Sequence, residues 1–393
     1  MTLQGKQISV IGAGIGGLAV ARALALRGAD VTVLEQAAKI AEIGAGLQIS
    51  PNGFAVLRAL GLAEALGADA VQGKAVSLRD YRKGEVLRLD LTRLDNHDYY
   101  FVHRADLIDV LAEGAREAGC KIRLLQKIDT VEPGRRSGDR PCVTLASGAC
   151  VEADLIVGAD GLHSRVRQVL NGTPAPFFTG QTAWRAVIPN RSNRGPEVQV
   201  HMGPRRHVVS YPLRSGELLN VVAVQERAAW AAESWSQEDD PANMRATFAD
   251  FGPDVRSMLA DVEKVHFWGL FRHPVAQTWH GGRTVLLGDA AHPTLPFLAQ
   301  GASMALEDSW VLADALSETD DTDQALQAYQ KRREARVRRV VTAATGNARK
   351  YHLSFPPFRW AAHLALKTGG TLAPVRMMQQ FNWLYNHDVT RKL

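Results

Sequence analysis

Cysteine is scarce in this chain of 393 residues: Cys120, Cys142 and Cys150 are the three present. None lies at a metal-ligand spacing. An odd count, in a chain that runs from Met1 into a strand at Gln7 with no charged-then-apolar leader, points to free thiols. A disulfide-stapled scaffold and a zinc site are therefore not expected. No apolar run reaches the ~18 residues that span a bilayer, so no membrane partner is expected, and the address expected is cytoplasmic. Internal repeats and low-complexity linkers are lacking too, which leaves out solenoids and tethered arrays. Charge of one sign is not concentrated: the net charge is +5 and the lysines and arginines are scattered. The dense run from Lys331-Arg332-Arg333 to Arg338-Arg339 falls in a helical stretch. It reads as a solvated helix face rather than a nucleic-acid stripe, although a mildly basic protein does draw anionic small molecules. What is present is 46% hydrophobic and 22% charged positions, enough for a large core in one big domain or two interlocked ones.

The opening segment reads strand, glycine turn, helix, strand: Gln7–Ile11 is β-branched and apolar, Gly16–Arg27 is rich in alanine and leucine, and Val31–Glu35 is again a buried strand. This is a βαβ unit of about the ~30 residues such a unit takes. Asp154–Ala159 and Thr284–Gly288 are later apolar runs ending in Gly-Ala-Asp and Gly-Asp-Ala, as parallel strands do when their C-terminal ends face a ligand. Between them, Val76–Thr92 alternates around a Lys83-Gly84 turn. Thr182–Val187, Glu197–His201, Arg206–Leu213 and Leu218–Gln225 form a series with a turn at Arg214-Ser215-Gly216, which predicts a mostly antiparallel second sheet. Helical patterns follow from Gly301 to Leu316 and from Gln324 to His352.

Gly12-Ala13-Gly14-Ile15-Gly16-Gly17 matches GxGxxG between a strand and a helix. Gly12 permits the tight turn, Gly14 lets the backbone approach a pyrophosphate, and Gly17 lets helix and strand pack closely, with the helix N-terminus facing the phosphate charge. Glu35, at the end of the second strand, stands where a carboxylate accepts from an adenosine ribose. The motif specifies a dinucleotide without saying which.

Two further stretches, Gly158-Ala159-Asp160-Gly161-Leu162-His163-Ser164-Arg165-Val166-Arg167 and Gly288-Asp289-Ala290-Ala291-His292-Pro293, each place an aspartate just after an apolar strand. With them the chain resembles, over essentially its whole length, the class A flavoprotein monooxygenases, the para-hydroxybenzoate hydroxylase-like family. The resemblance implies non-covalent FAD, with NADH or NADPH as co-substrate, and hydroxylation of a small hydroxylated aromatic acid through a flavin C4a-hydroperoxide. It places Asp160 in the motif serving FAD and nicotinamide, and Asp289 and Pro293 in the motif contacting the flavin ribityl chain. It also matches Arg104, in His103-Arg104-Ala105-Asp106-Leu107, to the arginine touching the FAD ribose and phosphates. Backbone N–H groups from Gly301 onward would stabilise negative charge on the reduced flavin. The stretch Gly44-Ala45-Gly46-Leu47-Gln48-Ile49-Ser50-Pro51-Asn52-Gly53 resembles the segment passing beside the isoalloxazine. The fold implied is α/β: a Rossmann-like FAD-binding sheet with an inserted, mostly antiparallel β-sheet substrate domain and C-terminal helices. The parts are an FAD-binding first part at 1–75, a substrate-domain β insertion at 76–100, an FAD-binding second part at 101–175, the substrate-binding sheet at 176–275, FAD-binding again at 276–320 and a helical region at 321–393. For Asp160 the alternative stays open that it, or Ser164, simply caps the following helix.

Pro293-Thr294-Leu295-Pro296-Phe297-Leu298-Ala299-Gln300-Gly301 and Arg206-His207-Val208-Val209-Ser210-Tyr211-Pro212-Leu213 resemble the salicylate hydroxylase, 3-hydroxybenzoate 6-hydroxylase and 6-hydroxynicotinate 3-monooxygenase group. In parts of that group a histidine and a tyrosine four residues later contact the substrate, a spacing His207 and Tyr211 match. On a strand, residues 207, 209 and 211 share one face, so both polar groups could enter one cavity, with His207 accepting a phenolic proton. The alternative is a structural histidine on the sheet surface. Where hydroxynicotinate enzymes carry a second histidine, Phe297 and Leu298 stand here, an apolar wall with Pro296 that weighs against an N-heterocyclic substrate. Trp184 and Trp268 read as sheet packing. Arg185 pairs with a substrate carboxylate or is a surface arginine. The alternative activities are a 6-hydroxynicotinate-type hydroxylase of an N-heterocycle or a non-oxygenating flavin oxidoreductase on the same fold, and a monomer or homodimer is the expected assembly.

Overall fold

The computed structural model describes residues 3–40, 45–95, 97–134, 139–173, 175–228 and 237–391. Gln7–Ile11 is buried on both faces beyond its first residue, as a strand is when it has neighbours on both sides and helices above and below it. It pairs in parallel with Asp30–Leu34 on one side and Leu155–Gly158 on the other. Thr284–Leu286 and Lys121–Arg123 complete a five-stranded, all-parallel sheet. Helix Ile15–Ala25, which buries every residue from Ile15 to Leu24 except Arg22, packs against Gly301–Glu318 and Arg104–Glu117. The Ser309 hydroxyl donates to the Gly16 carbonyl at 3.0 Å and ties the two glycine-led helices together.

The second sheet has eight strands, among them Ala75–Asp80, Glu85–Asp90, Phe177–Pro189, Glu197–Gly203, Arg206–Leu213, Leu218–Glu226 and Val265–Arg272. Every pairing in it is antiparallel except Ala75–Asp80 with Glu197–Gly203, which are parallel. Alternation separates its faces. Val208 goes to a core with Trp184, Phe248, Phe251 and Phe267, whereas His207, Val209 and Tyr211 face a cavity shared with the parallel sheet. A short sheet in which Gly46–Ile49 pairs antiparallel with Tyr100–His103 joins the two halves.

Two findings depart from the expectations above. Cys142 and Cys150 are bonded to each other, so the free thiols expected there are corrected; Cys120 is free and buried. The physical reason is a hairpin that the sequence pattern did not show. Cys142–Leu145 pairs with Cys150–Glu152 so that Thr144 opposes Cys150, which makes Cys142 the diagonal neighbour on the same face. In the basic run Lys331 to Arg339, the solvated-face reading is corrected at Arg333, which is 1% exposed and held by Glu307 and Asp308. Beyond the long helix Thr322–Tyr351, helices Pro356–Leu372 and Pro374–Gln379 lie over the 85–90 strand, helix Asn382–Tyr385 packs on helix Pro51–Ala59, and Leu366, Met377, Phe381 and Tyr385 help to line the cavity. No helix among the described residues is long and apolar enough to cross a membrane.

Candidate functional site

Two pockets lie at opposite ends of the parallel strands. One, of about 300 Å³, is lined by Leu3, Lys6, Asp154 and Arg283 at the strand starts. The other, of about 480 Å³, opens at the C-terminal ends, where open α/β sheets bind ligands, and runs on beneath the second sheet. Only the second gathers the residues singled out by sequence. Gly14, Gly46, Arg104, Asp289 and Gly301 line one end, and Arg185, His207, Tyr211, Pro296 and Phe297 line the other. Gly12, Gly17, Glu35, Asp160 and Pro293 do not line it; they shape its rim or lie behind it. Gly44 falls outside the described residues.

The glycine turn has the geometry its residues demand. Gly12 has φ +99°, and a Cβ there would sit 2.6 Å from the Ala159 carbonyl oxygen; at Gly17 it would sit 1.9 Å from the Gly12 oxygen. At Gly14 a Cβ would meet nothing within 4 Å, so this glycine faces open space at the start of helix Ile15–Ala25. That is a phosphate-sized approach to a helix N-terminus. Glu35, just past its strand, accepts from the Ala13 and Ala37 N–H groups, each at 2.8 Å, and so braces the turn. Asp160 accepts from Arg165 N at 2.7 Å, and Ser164 from Arg167 N at 2.9 Å. Both therefore cap helix Arg165–Asn171, while the second oxygen of Asp160 is buried with no hydrogen-bond partner.

Asp289 is surrounded by protein yet open to the cavity it lines, and it makes no hydrogen bond to protein among the described residues. Desolvation pushes its carboxyl above the ordinary range, with His292 and Arg104 opposing that shift. A carboxylate open to the cavity with its lone pairs unused fits a ligand bearing hydroxyl donors, such as a ribityl chain. Arg104 begins helix Arg104–Glu117, and its own backbone N–H donates to Ala45 at 2.9 Å, which seats it beside the Gly46 strand. At Gly46 a Cβ would lie 2.7 Å from both the Asn220 and Tyr211 side chains, so only glycine lets this backbone pass beside the chamber. Together these features fit the extended FAD that the resemblance implies.

At the other end, cross-strand register builds the wall. Ala183, Val224 and His207 form one row, Arg185, Val222 and Val209 the next, and Val187, Asn220 and Tyr211 the third. Arg185 thus stands in the middle row, two strands or ~10 Å of backbone from the histidine and tyrosine. Arg185 is half-buried and lines the cavity. Desolvation pulls Arg185 below the ordinary arginine range, and its guanidinium lies over the Trp268 ring at 5.0 Å. No hydrogen bond or ion pair to it occurs among the described residues. Burial pushes the Tyr211 hydroxyl well above its usual range, which keeps it a neutral donor. Gln48 bonds to it and accepts from Tyr99 at 2.7 Å. The His207 ring packs between Phe297 and Tyr351, at centroid distances of 5.7 and 5.3 Å.

Sequence reasoning missed Gln48, Tyr99 and Tyr385 as chamber residues, and it missed a buried polar chain behind the loop at 294–301. Gln300 donates to Ser50 at 2.8 Å, and Asn52 donates to Gln300 at 3.0 Å and to Glu307 at 2.6 Å. Glu307 holds Arg333 and Arg336, and Asp308 holds Arg333 and His292. A signal for this chain was present: Glu307 and Asp308 sit in the middle of an otherwise apolar helix, where a carboxylate needs a cation. His352 was missed as well, because it follows the last turn of a helix that reads as surface.

The family model described as "FAD binding domain" matches residues 6–344. A 3-amino-4-hydroxybenzoate 2-monooxygenase of Streptomyces platensis is 36% identical, covering 97% of this chain and 96% of its own. A 3-hydroxybenzoate 6-hydroxylase of Polaromonas naphthalenivorans is 35% identical over the same shares, 97% and 96%. Among solved structures, Klebsiella pneumoniae HpxO complexed with FAD and uric acid superposes with a TM-score of 0.84 at 25% identity, covering 95% of this chain and 96% of that one.

Proposed function

The chain belongs to the FAD binding domain family, and from that membership we propose that it is an FAD-dependent monooxygenase that uses NAD(P)H and O2 to hydroxylate a small hydroxylated aromatic acid. The observation that carries the substrate class is Arg185: a half-buried cation with no acid among the described residues, lining the same cavity as His207 and Tyr211 from two strands away. A planar acid with a phenolic hydroxyl supplies the charge Arg185 lacks and a proton for His207 to accept. Phe297 and the leucines of the 85–90 strand enclose its ring.

Gly14, Arg104, Asp289 and the N-terminus at Gly301 would hold FAD, which when bound supplies the electrons taken from NAD(P)H and the activation of O2. The protein's own share is to orient the ring, to exclude water with the helices at 356–385, and to draw the phenolic proton toward His207 while Tyr211 donates to the same oxygen. The reading assigns FAD binding to segments 1–75, 101–175 and 276–320 and the substrate to segments 76–100 and 176–275, with residues 321–393 closing the chamber. A cytoplasmic monomer or homodimer goes with it.

The test is a panel of hydroxybenzoates and aminohydroxybenzoates, read as substrate-stimulated NAD(P)H oxidation with 18O2 incorporation. Incorporation of one labelled atom is expected with an acid carrying a ring hydroxyl. Arg185→Gln should raise the KM for that acid about ten- to a hundredfold, as loss of one or two charge-assisted hydrogen bonds does. Stimulated oxidation without label would show an oxidoreductase that does not insert oxygen.

A further inference from the structure

From His207 a row of hydrogen-bonded groups runs behind the chamber wall. His207 Nδ1 lies 2.6 Å from His352 Nε2, and His352 Nδ1 lies 3.0 Å from Glu226 Oε1. Both imidazoles are buried, at 1% and 4% exposure, while the Glu226 side chain is 31% exposed. The row therefore begins at the cavity and ends at solvent. The three come from separate places: one strand, its hairpin partner, and the end of the long helix, 145 residues from His207. Backbone bonds fix the junction: Glu226 N donates to Arg205 O at 2.9 Å, and Arg205 N to His352 O at 3.3 Å.

Hydrogen-bond logic sets the tautomers. A carboxylate only accepts, so His352 carries its proton on Nδ1 and presents a bare Nε2. His207 must then donate from Nδ1, which leaves its Nε2 lone pair free; that atom has no protein partner among the described residues, and the residue lines the cavity. Glu226 thus determines, through two rings, that a proton acceptor faces the substrate.

We propose that His352 and Glu226 are positioning residues that form a proton exit from the chamber, so that the phenolic proton of the substrate leaves to solvent through His207, His352 and Glu226. This deepens the function proposed above and rests on it. The phenol O–H bond breaks as His207 Nε2–H forms; His207 Nδ1–H breaks as His352 Nε2–H forms; His352 Nδ1–H breaks as Glu226 Oε1–H forms. The glutamic acid then releases its proton to water. The net result is one phenolate in the chamber and one proton in solvent, with both imidazoles neutral, and return of a proton to the product restores the tautomers.

Burial agrees with transmission rather than storage. Desolvation holds His207 well below the ordinary histidine range, with His352 adding to the effect, and it lowers His352 as well, against the pull of Glu226. Both shifts disfavour a second proton on either ring. The charged group on Glu226 is Arg205, at 2.9 Å on the oxygen away from His352, and the titratable ring against His207 besides His352 is Tyr351, whose hydroxyl is pushed up to about 12 and stays neutral.

The experiment uses the FAD-loaded protein and 4-hydroxy-3-nitrobenzoate, an aromatic acid whose phenolate is yellow. Binding is followed at the dye's colour and, with a pH indicator in weak buffer, as proton release. The wild type should bind the phenolate and release its proton. Glu226→Gln keeps a hydrogen bond to His352 but removes the terminal acceptor; it should slow release at least about tenfold and raise the pH at which bound dye turns yellow, while Glu226→Asp recovers both. His352→Ala should behave like Glu226→Gln and regain speed with added imidazole, which a merely structural role would not allow. Release within about twofold of wild type in both Glu226→Gln and His352→Ala overturns the exit. So does a wild type that hydroxylates its substrate but never deprotonates the dye. Failure of 18O2 incorporation by the wild type strikes the monooxygenase reading instead. Should His352→Ala lose FAD or fold, Glu226→Gln, at a half-buried position, decides alone.

Discussion

At Asp289 a carboxylate is held among protein groups without a hydrogen-bond donor among the described residues, and burial already raises its pKa. A ligand offering hydroxyl donors gains charge-assisted hydrogen bonds there, each worth ~1.5–3 kcal/mol. Asp289→Ala should therefore loosen FAD at least about tenfold, measured by fluorescence titration of the stripped protein, with the melting temperature of the stripped form nearly unchanged. An unaltered FAD affinity would remove Asp289 from the cofactor's path. Residues of this kind were legible in the sequence where local pattern decides their place. Strand alternation puts 207, 209 and 211 on one face, and an aspartate after an apolar strand lands at a sheet's C-terminal end. His352 and Glu226 were not legible, since nothing local to either says that a helix end and a strand end 126 residues apart converge. Cys142 and Cys150 were missed for a related reason: their contact depends on the register of a hairpin, which spacing does not give.

The helices Gly301–Glu318 and Thr322–Tyr351 are clamped by charge in an otherwise apolar seam. Glu307 and Asp308 are fully buried against Arg333, which is 1% exposed, and Arg336 adds a second cation on Glu307. Removing one member of such a cluster leaves a buried charge uncompensated, at a typical cost of ~3–5 kcal/mol. The same clamp predicts acid sensitivity with a definite sign. The arginines hold Glu307 down from 4.5 to about 2 despite desolvation, so its proton is bound more weakly in the folded chain than in the unfolded one. The stabilisation is complete above the unfolded value near 4.5 and is lost as pH falls toward about 2. Its size is roughly 3 kcal/mol at neutral pH. In urea melts the wild type should lose stability between pH 5 and roughly pH 2. Glu307→Gln should be less stable at pH 7 and flatter across that window, and equal slopes in the two proteins would show that the cluster is not what titrates. Because Asn52 and Gln300 join Glu307 to the loop at 294–301, the variant should also weaken substrate binding. The helices themselves could be read from periodicity. Their charged seam could not, because a basic run on a long helix is more often solvated than buried.

On the scale of the whole chain, the cavity is a seam where three parts of the structure meet. The parallel sheet contributes Gly14 and Asp289, the antiparallel sheet Arg185 and His207, and the C-terminal helices Phe381 and Tyr385. Each sheet was foreseeable, since buried parallel strands and half-buried antiparallel ones leave different patterns in sequence. The lining contributed by residues 356–385 was not, because those helices bury no residue of Pro356–Leu372 fully and carry no motif. A seam of this kind makes ligand binding and global stability the same measurement. A molecule that fills it binds the folded state alone and adds RT ln(1 + [L]/Kd), about 2.7 kcal/mol at a hundredfold excess over Kd. FAD-stripped protein should accordingly melt several degrees lower than FAD-saturated protein, since a chain this long shifts by ~1–2 °C per kcal/mol. An aromatic acid added to the FAD-loaded form should raise the midpoint again, and Arg185→Gln should abolish most of that second increment while keeping the first. The two increments separate the two ends of the cavity: the first depends on Gly14, Arg104 and Asp289, the second on Arg185, His207 and Tyr211. If FAD leaves the midpoint unmoved, the seam does not hold it. If the acid stabilises Arg185→Gln as much as the wild type, the Arg185 guanidinium is not where the carboxylate sits.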